Sequence, residues 1–107
     1  MVNNEASLNS LFGALADPTR RNILGRLAAA DLSVGQIARQ YSMSVPAISK
    51  HLKVLESAGF ITKRKEGKER IASIRPEALK EIDMFLSHYE ALYTEKLDRL
   101  DEILKEE

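Results

Sequence analysis

The segment "LSVGQIARQYSMSVPAISKHLKVLESAG" constrains the fold more than any other part of the chain. Ser33, followed three residues later by Gln36, has the spacing of a capping box, which predicts that a short helix begins there. Ser44 is a second N-cap, and Gly59 ends the helix that it starts. Two helices of about ten residues joined by a short turn form a helix-turn-helix, which we assign to residues 33–58.

A β-hairpin is predicted directly after the second of these helices. "FITKRK" and "RIASIR" flank "EGKE", in which Gly67 supplies the turn. We assign the hairpin to residues 60–75. A hairpin that follows a helix-turn-helix is a wing, and the tip of this one is charged rather than apolar.

The two ends of the chain are predicted to be helical. Apolar side chains recur at helical spacing from Leu8 to Leu15, which predicts a first helix over residues 3–16. Asp17 and the proline after it start a second helix. No helix breaker follows Pro76, and an apolar stripe continues to the end, which predicts a last helix over residues 76–107. The predicted fold class is mainly α with a small β-hairpin, a winged helix-turn-helix of about five helices and a two-stranded wing.

Composition limits the classes of function. A chain of 107 residues is enough for one domain over residues 1–107. The absence of cysteine excludes disulfides, thiolate zinc sites and cysteine nucleophiles, and suits a reducing cytoplasm. The start of the chain has no basic segment, and its longest apolar run, "LFGALA", is too short for a signal sequence or a membrane span. We therefore expect a soluble, cytoplasmic protein without a membrane partner.

The formal net charge of zero hides a division along the chain. Residues 33–75 hold nine basic and three acidic side chains, a net charge of +6. Residues 76–107 hold ten acidic and four basic side chains, a net charge of −6. A basic middle with an acidic end indicates that the middle segment meets an anionic partner.

The second helix of the helix-turn-helix is predicted to read DNA. With Ile48, Leu52 and Leu55 facing inward, its other side suits the major groove of B-DNA, where a recognition helix meets base edges with its N-terminal residues. The predicted DNA-binding residues of this helix are Ser44, Val45, Ala47, Ser49, Lys50, His51 and Lys53. Those of the wing are Lys63, Arg64, Lys65, Lys68 and Arg70, which we expect at phosphates or in the minor groove. A merely solvated helix face and solubilising lysines on the hairpin are the alternatives.

His51 does not indicate an enzyme. Ser49 and His51 are two residues apart on a helix and point to different sides, so they form no catalytic pair. Two readings of His51 stay open from the sequence, a hydrogen bond to a DNA phosphate or to the backbone and a purely structural role. No polar constellation has catalytic spacing, and we expect no catalytic residues.

The same residues resemble the ArsR-type (arsenical-repressor-like) winged-helix transcription regulators. The resemblance rests on "LADPTRRNILGRL", "LSVGQIA", "MSVPAISKHLKVLESAGFI" and the "KEGKER" wing, and covers about residues 8–75. It implies a homodimer built from the first and last helices that binds a palindromic operator and usually represses transcription. The apolar stripes of those helices supply the expected interface residues, which are Leu8, Leu11, Phe12, Phe85, Tyr89, Tyr93, Leu97, Leu100 and Leu104.

The resemblance also shows a departure from the metal-sensing members of the family. Those members carry cysteines before the turn, or an Asp-x-His with a downstream histidine pair on the last helix. Here "LSVGQIA" has no cysteine, Asp83 is followed by Met84 and Phe85, and His88 stands alone. A carboxylate-rich site from Asp83, His88 and Glu90 is a weak alternative, so no metal and no cofactor are expected.

The function predicted from the sequence is a homodimeric, sequence-specific DNA-binding transcription regulator, and the family resemblance implies that it represses. The alternative is a winged-helix interaction module that binds an acidic protein partner. The +6 segment fits both, but lysines on the recognition helix and on the hairpin together favour DNA. The operator sequence and any small-molecule effector are not readable from the chain.

Overall fold

The structure, a computed structural model, describes five helices and three strands within residues 4–105. The helices are α1 (Asn4–Leu15), α2 (Pro18–Ala29), α3 (Val34–Tyr41), α4 (Val45–Ala58) and α5 (Pro76–Lys105). The strands are β1 (Leu32–Ser33), β2 (Ile61–Glu66) and β3 (Glu69–Ile74). The predicted fold class, a winged helix-turn-helix, is confirmed. Residue 3 of the predicted first helix and residues 106–107 of the predicted last helix lie outside the described residues.

Three helices begin at the side chains that the sequence singles out as caps. The Asp17 carboxylate accepts a hydrogen bond from the first turn of α2. The Ser33 hydroxyl accepts from the backbone N–H of Gln36 at 3.0 Å, and the Gln36 side chain accepts from the backbone N–H of Ser33 at 2.8 Å. The Ser44 hydroxyl accepts from the N–H of Ala47 at 3.2 Å and starts α4. The capping chemistry therefore fixes where the helices of the helix-turn-helix begin.

Residues in the left-handed backbone conformation end α3 and α4. Ser42, at φ 54°, ends α3, and the N–H of Met43 donates to the carbonyl of Ala38 at 3.1 Å. Gly59, at φ 93°, ends α4 in a conformation that glycine adopts without steric cost. The turn between α3 and α4 is thus only three residues long, which holds the second helix at a fixed angle to the first.

The wing belongs to a three-stranded antiparallel sheet with the strand order β1-β3-β2. The expectation of a two-stranded wing was therefore incomplete, because Leu32 pairs with Ala72 and Ser33 with Ile71. A two-residue strand has no alternation that a sequence pattern could reveal, and its pairing with β3 forms only in the folded chain. Gly67, at φ 63°, makes the turn between β2 and β3.

One hydrophobic core lies between helices α1 to α4, the start of α5 and the sheet. Its largest fully buried side chains are Phe60, Leu11, Ile23, Leu27, Ile37, Ile48, Leu52, Leu55 and Ile61. Phe60, which lies between α4 and β2, also accepts a hydrogen bond through its carbonyl from the N–H of Arg75 at 2.7 Å. The core therefore joins the root of the wing to the helix-turn-helix.

Helix α5 leaves the core after its first turns. Ala78 is buried and Ile82 packs against the core, but every residue from 86 to 105 is exposed. The molecule consequently measures 62 × 38 × 19 Å along its principal axes. None of the helices within residues 4–105 has both the length and the apolar character needed to cross a membrane.

Candidate nucleic-acid interface

Helix α4 turns its outer side to solvent because its inner side is fully used by the core. Ile48 and Leu52 are completely buried. Val45 is 51% exposed, and the two lysines of the outer side are exposed as well. Of the other residues predicted on this helix, Ala47 and Ser49 are half-buried, and the Ser44 hydroxyl is engaged as the N-cap. The exposed surface therefore carries a small apolar side chain at the N-terminal end of the helix and basic side chains farther along.

A cleft of about 420 Å³ separates α4 from the wing. Val45 and Ser49 line it from α4, residues 68–70 line it from the wing, and residues 33–35 close it at the start of α3. Two of the three wing residues are cations, and Glu69 is the acid between them. The cleft therefore has small side chains on one wall and two cations with one acid on the other.

Lys50 and Lys53 lie on the other side of α4. They line a shallow groove of about 590 Å³ between α4 and α1, together with small residues such as Gly13 and Ser57. Neither lysine forms an ion pair with a residue that the structure describes. The two sides of α4 thus differ. The Ser49 hydroxyl lies towards the wing, and the ammonium groups of Lys50 and Lys53 lie towards α1.

The tip of the wing concentrates positive charge. In the register of β2 and β3, Lys65 lies directly opposite Arg70, and Lys68 follows Gly67 in the turn. All three cations are exposed. Like charges opposite each other destabilise a sheet, so this arrangement is better suited to a surface that meets an anion than to one that only contributes to folding.

Two wing cations predicted to contact DNA also have partners within the chain. Lys63 Nζ lies 3.4 Å from Glu56 Oε1 of α4, and the Lys63 side chain is only 16% exposed. Arg64 donates from Nη1 to Asp31 at 3.1 Å and to the Ser73 hydroxyl at 2.7 Å, and from Nε to Glu66 at 2.7 Å. Lys63 and Arg64 thus form ion pairs within the chain, and they also line one shallow pocket of the wing together with Lys65 and Arg70. Their contact with DNA stays a prediction.

The Arg64 network has an electrostatic signature. Hydrogen bonds from Ser73 and from Arg64 lower the pKa of Asp31 below its ordinary value of 3.8. Hydrogen bonds to Glu66 and Asp31 in turn raise the pKa of Arg64. These four side chains join β2 and β3 to the loop before β1, with Arg64 bound to each of the other three, and we call this network the Arg64 clamp.

His51 is half-buried against the start of α2. Its Nδ1 lies 3.5 Å from Arg20 Nη1 and 3.9 Å from Asp17 Oδ2. The pKa of Asp17 is lowered, chiefly by the hydrogen bond from the backbone N–H of Arg20 at 3.0 Å. His51 therefore belongs to a polar cluster of three residues that connects α4 to α2.

Arg20 was not predicted from the sequence, and it has the most contacts in this cluster. Its Nε donates to the carbonyl of Ala14 at 2.7 Å, and its Nη2 donates to the carbonyl of Gly13 at 3.3 Å. Arg21 donates in the same way to the carbonyl of Leu15 at 2.6 Å. The last turn of a helix leaves carbonyls without intrahelical partners, and these two arginines satisfy them in α1. The adjacent basic residues after the Asp17 cap are the one sequence signal that pointed to this role.

The residues expected in a dimer interface fall into two groups. Leu11 is 1% exposed and belongs to the core of its own chain, so it does not lie on a surface that a second chain could contact. Phe12, Phe85 and Tyr89 stack edge to face or tilted, with centroid distances of 5.7 Å and 5.6 Å, and the ring of Phe12 is 40% exposed. The remaining aromatic and leucine side chains of α5 are about half exposed, namely Tyr93, Leu97, Leu100 and Leu104. Leu8 packs partly against the core.

The residues weighed as a carboxylate-rich metal site do not converge. Asp83, His88 and Glu90 are all exposed along α5. Among the described residues, no group of three or more histidine, aspartate or glutamate side chains is placed to hold a metal ion.

Comparison with known proteins identifies the family. Residues 17–63, from the cap of α2 to the start of the wing, match the family described as "Bacterial regulatory protein, arsR family". The solved structure of the ArsR family transcriptional regulator RHA00566 is 35% identical to this chain, with a TM-score of 0.79 over 88% of this chain and 97% of that one. The chain belongs to the ArsR family. A domain from Mycobacterium bovis, described as a homodimeric winged helix-turn-helix DNA-binding domain and a possible ArsR-family regulator, shares the fold at 24% identity and a TM-score of 0.66, over 79% of this chain and 80% of that one.

Two curated relatives of this ArsR-family chain are named as transcription regulators. The HTH-type transcriptional regulator Rv2034 of Mycobacterium tuberculosis is 47% identical over 66 residues, which are 62% of this chain and 62% of that protein. The transcriptional repressor SdpR of Bacillus subtilis is 42% identical over 60 residues, which are 56% of this chain and 67% of that protein. The chain thus spans less than two thirds of the length of Rv2034.

Proposed function

We propose that this protein is a homodimeric, sequence-specific DNA-binding transcription regulator that represses at a palindromic operator. The observation that supports the proposal most is the cleft between α4 and the wing, where Val45 and Ser49 face Lys68 and Arg70. Membership of the ArsR family adds to this support, as do the names of Rv2034 and SdpR.

In the proposed complex, α4 lies in the major groove with its N-terminal turns at the base edges. Val45 is exposed enough to contact a thymine methyl group, and Ser49 offers a hydroxyl that donates or accepts. Lys50 and Lys53 reach guanine or the backbone on the side of α1. Lys65, Lys68 and Arg70 of the wing contact phosphates, which fixes the register of α4 without reading sequence.

Dimerisation is proposed from the exposed apolar side chains of α5. Tyr93, Leu97, Leu100 and Leu104 are each at least 50% exposed on a helix that leaves the core. A contiguous apolar surface of this kind marks a protein contact rather than a solvated face. A two-fold symmetric dimer presents two α4 helices, and such dimers read half-sites about 10 base pairs apart, or a multiple of that.

Repression is the proposed outcome because a dimer that covers a promoter excludes other proteins from it. The relative SdpR is named a transcriptional repressor, which supports this direction. The function requires access to the chromosome, so we propose the cytoplasm as the location. No effector is proposed.

A footprint on the DNA upstream of the protein's own gene tests the proposal. We expect protection of a two-fold symmetric site, with tighter binding there than to random DNA of equal length at the same salt concentration. Equal affinity for both DNAs would contradict sequence-specific reading. No DNA binding by the dimer would favour the alternative, an interaction module for an acidic protein.

A further inference from the structure

We propose that Arg20 is a positioning residue of the DNA interface. It holds neutral His51 in the tautomer that carries its proton on Nε2, so that α4 offers this N–H to a DNA phosphate. The inference rests on the proposed DNA-binding function, and it decides between the two readings of His51 that the sequence leaves open.

The tautomer follows from the chemistry of the two side chains in contact. Arg20 Nη1 lies 3.5 Å from His51 Nδ1, which is nearer than Asp17 Oδ2 at 3.9 Å. A guanidinium group has donors only, so the histidine nitrogen that faces it must accept. An imidazole nitrogen that accepts carries no proton, and the proton of the neutral ring then lies on Nε2.

The other ring nitrogen is left with an unused donor. Nδ1 faces Arg20 and Asp17 at the start of α2, and Nε2 occupies the opposite edge of the ring. No hydrogen-bond partner for Nε2 occurs among residues 4–105, and the His51 side chain is 21% exposed. His51 follows Lys50 in α4 and lies beside the start of α2, where a bound DNA backbone would supply the acceptor. A phosphate oxygen accepts such an N–H strongly because it is charged.

Arg20 can hold this position because its guanidinium group is itself fixed. Nε and Nη2 donate to the carbonyls of Ala14 and Gly13, and only Nη1 is left to approach His51. The planar guanidinium group binds the end of α1 and contacts α4 at the same time, which the single side-chain nitrogen of a lysine cannot do. The end of α1 thereby determines the orientation of a side chain on α4.

The first test is made on the free protein, without DNA. Nitrogen-15 spectra of the imidazole rings distinguish the two neutral tautomers, and the chain has two histidines, so His88→Gln assigns the signals. At about pH 8, above the ordinary pKa of histidine, we expect the Nε2–H tautomer for His51 and a mixture of tautomers in Arg20→Lys. A wild-type ring with its proton on Nδ1, or an unchanged spectrum in Arg20→Lys, would overturn the proposal.

The second test compares two amides in place of the ring. The amide nitrogen of glutamine reaches the position of Nε2, whereas the amide of asparagine reaches only the position of Nδ1. We expect His51→Gln to bind DNA nearly as tightly as the wild type, and His51→Asn to bind both operator and random DNA about tenfold more weakly per half-site, the value of one hydrogen bond to a charged group. Thermal unfolding of both variants controls for stability.

The opposite ranking, with asparagine retaining DNA affinity and glutamine losing it, would assign His51 a purely structural role and refute the inference. If the wild type binds no DNA at all, the proposed function fails. The tautomer measured on the free protein still tests the role of Arg20 separately, because that measurement uses no DNA.

Discussion

Lys65 of β2 and Arg70 of β3 lie directly opposite each other near the tip of the wing. Both side chains are exposed, and neither has an ion-pair partner among the described residues. Two like charges in a cross-strand pair oppose the stability of the sheet that carries them. A bound polyanion would remove that repulsion. The pair is therefore expected to lower the stability of the free protein and to strengthen its binding to DNA.

The pair gives a prediction about Lys65. We expect Lys65→Thr to raise the free energy of unfolding by about 0.5 kcal/mol, because a like-charge pair is lost and a β-branched residue is gained. The same change should weaken binding to any DNA and reduce the salt slope by about one per half-site. Urea unfolding and a salt titration of DNA affinity measure the two effects. Lys80→Ala on α5 serves as a control for loss of a cation, and an equal change in its slope would contradict the assignment.

Ser49 and Lys68 line the same cleft and should behave differently. Ser49→Ala removes a hydroxyl expected at a base edge and should cost about 1–3 kcal/mol per half-site on operator DNA, with little effect on random DNA. Lys68→Ala removes an expected phosphate contact and should weaken binding to both DNAs alike. Affinities for operator and random DNA, measured at several salt concentrations, separate the two. If Ser49→Ala weakens both equally, α4 is not reading bases.

Leu97 tests the dimer. Its side chain is 58% exposed on the part of α5 that leaves the core, so Leu97→Asp should leave the fold intact and give monomers that bind DNA weakly. Thr94→Asp introduces the same charge on the neighbouring polar side of the helix and should remain dimeric. Sedimentation at tens of micromolar measures both. A wild-type protein that sediments as a monomer would rule out the interface.

The Arg64 clamp predicts a dependence of stability on pH. The folded chain lowers the pKa of Asp31 below 3.8, so the carboxylate stabilises the fold above that value and loses this contribution as the pH falls through the lower, folded pKa. Asp17 acts in the same direction. We expect the melting temperature to fall more steeply below about pH 4 in the wild type than in Asp31→Asn. Parallel curves for the two proteins would show that the clamp contributes nothing.

Local chemistry explains why much of the fold was predictable from the sequence. Asp17, Ser33 and Ser44 cap helices through their own first turns, and Gly59 and Gly67 adopt positive φ values at the places where the pattern breaks. Each of these signals involves residues within about four positions of one another. The positions of α2, α3, α4 and the wing follow from them directly.

The missing parts depend on contacts between distant segments. The hairpin pattern does not indicate the ion pairs of Lys63 and Arg64, because their partners Glu56 and Asp31 come from a helix and a loop that only the folded chain brings near. Leu11 fits the same apolar stripe as Phe12, and only packing decides which of the two is buried. Arg20 reaches His51 across 31 positions of sequence, a distance over which no spacing rule applies.

The separation of charge along the chain has a consequence for how the molecule approaches DNA. The net +6 of residues 33–75 lies in the helix-turn-helix and wing, while the net −6 of residues 76–107 lies mostly on α5, which extends away from them. A neutral body with its charges divided in this way is an electric dipole. In the field of a polyanion such a dipole experiences a torque, which turns the basic end towards the duplex before contact. Salt shortens the range of this alignment to about 10 Å at 0.1 M, so orientation would be selected only in the last step of the encounter.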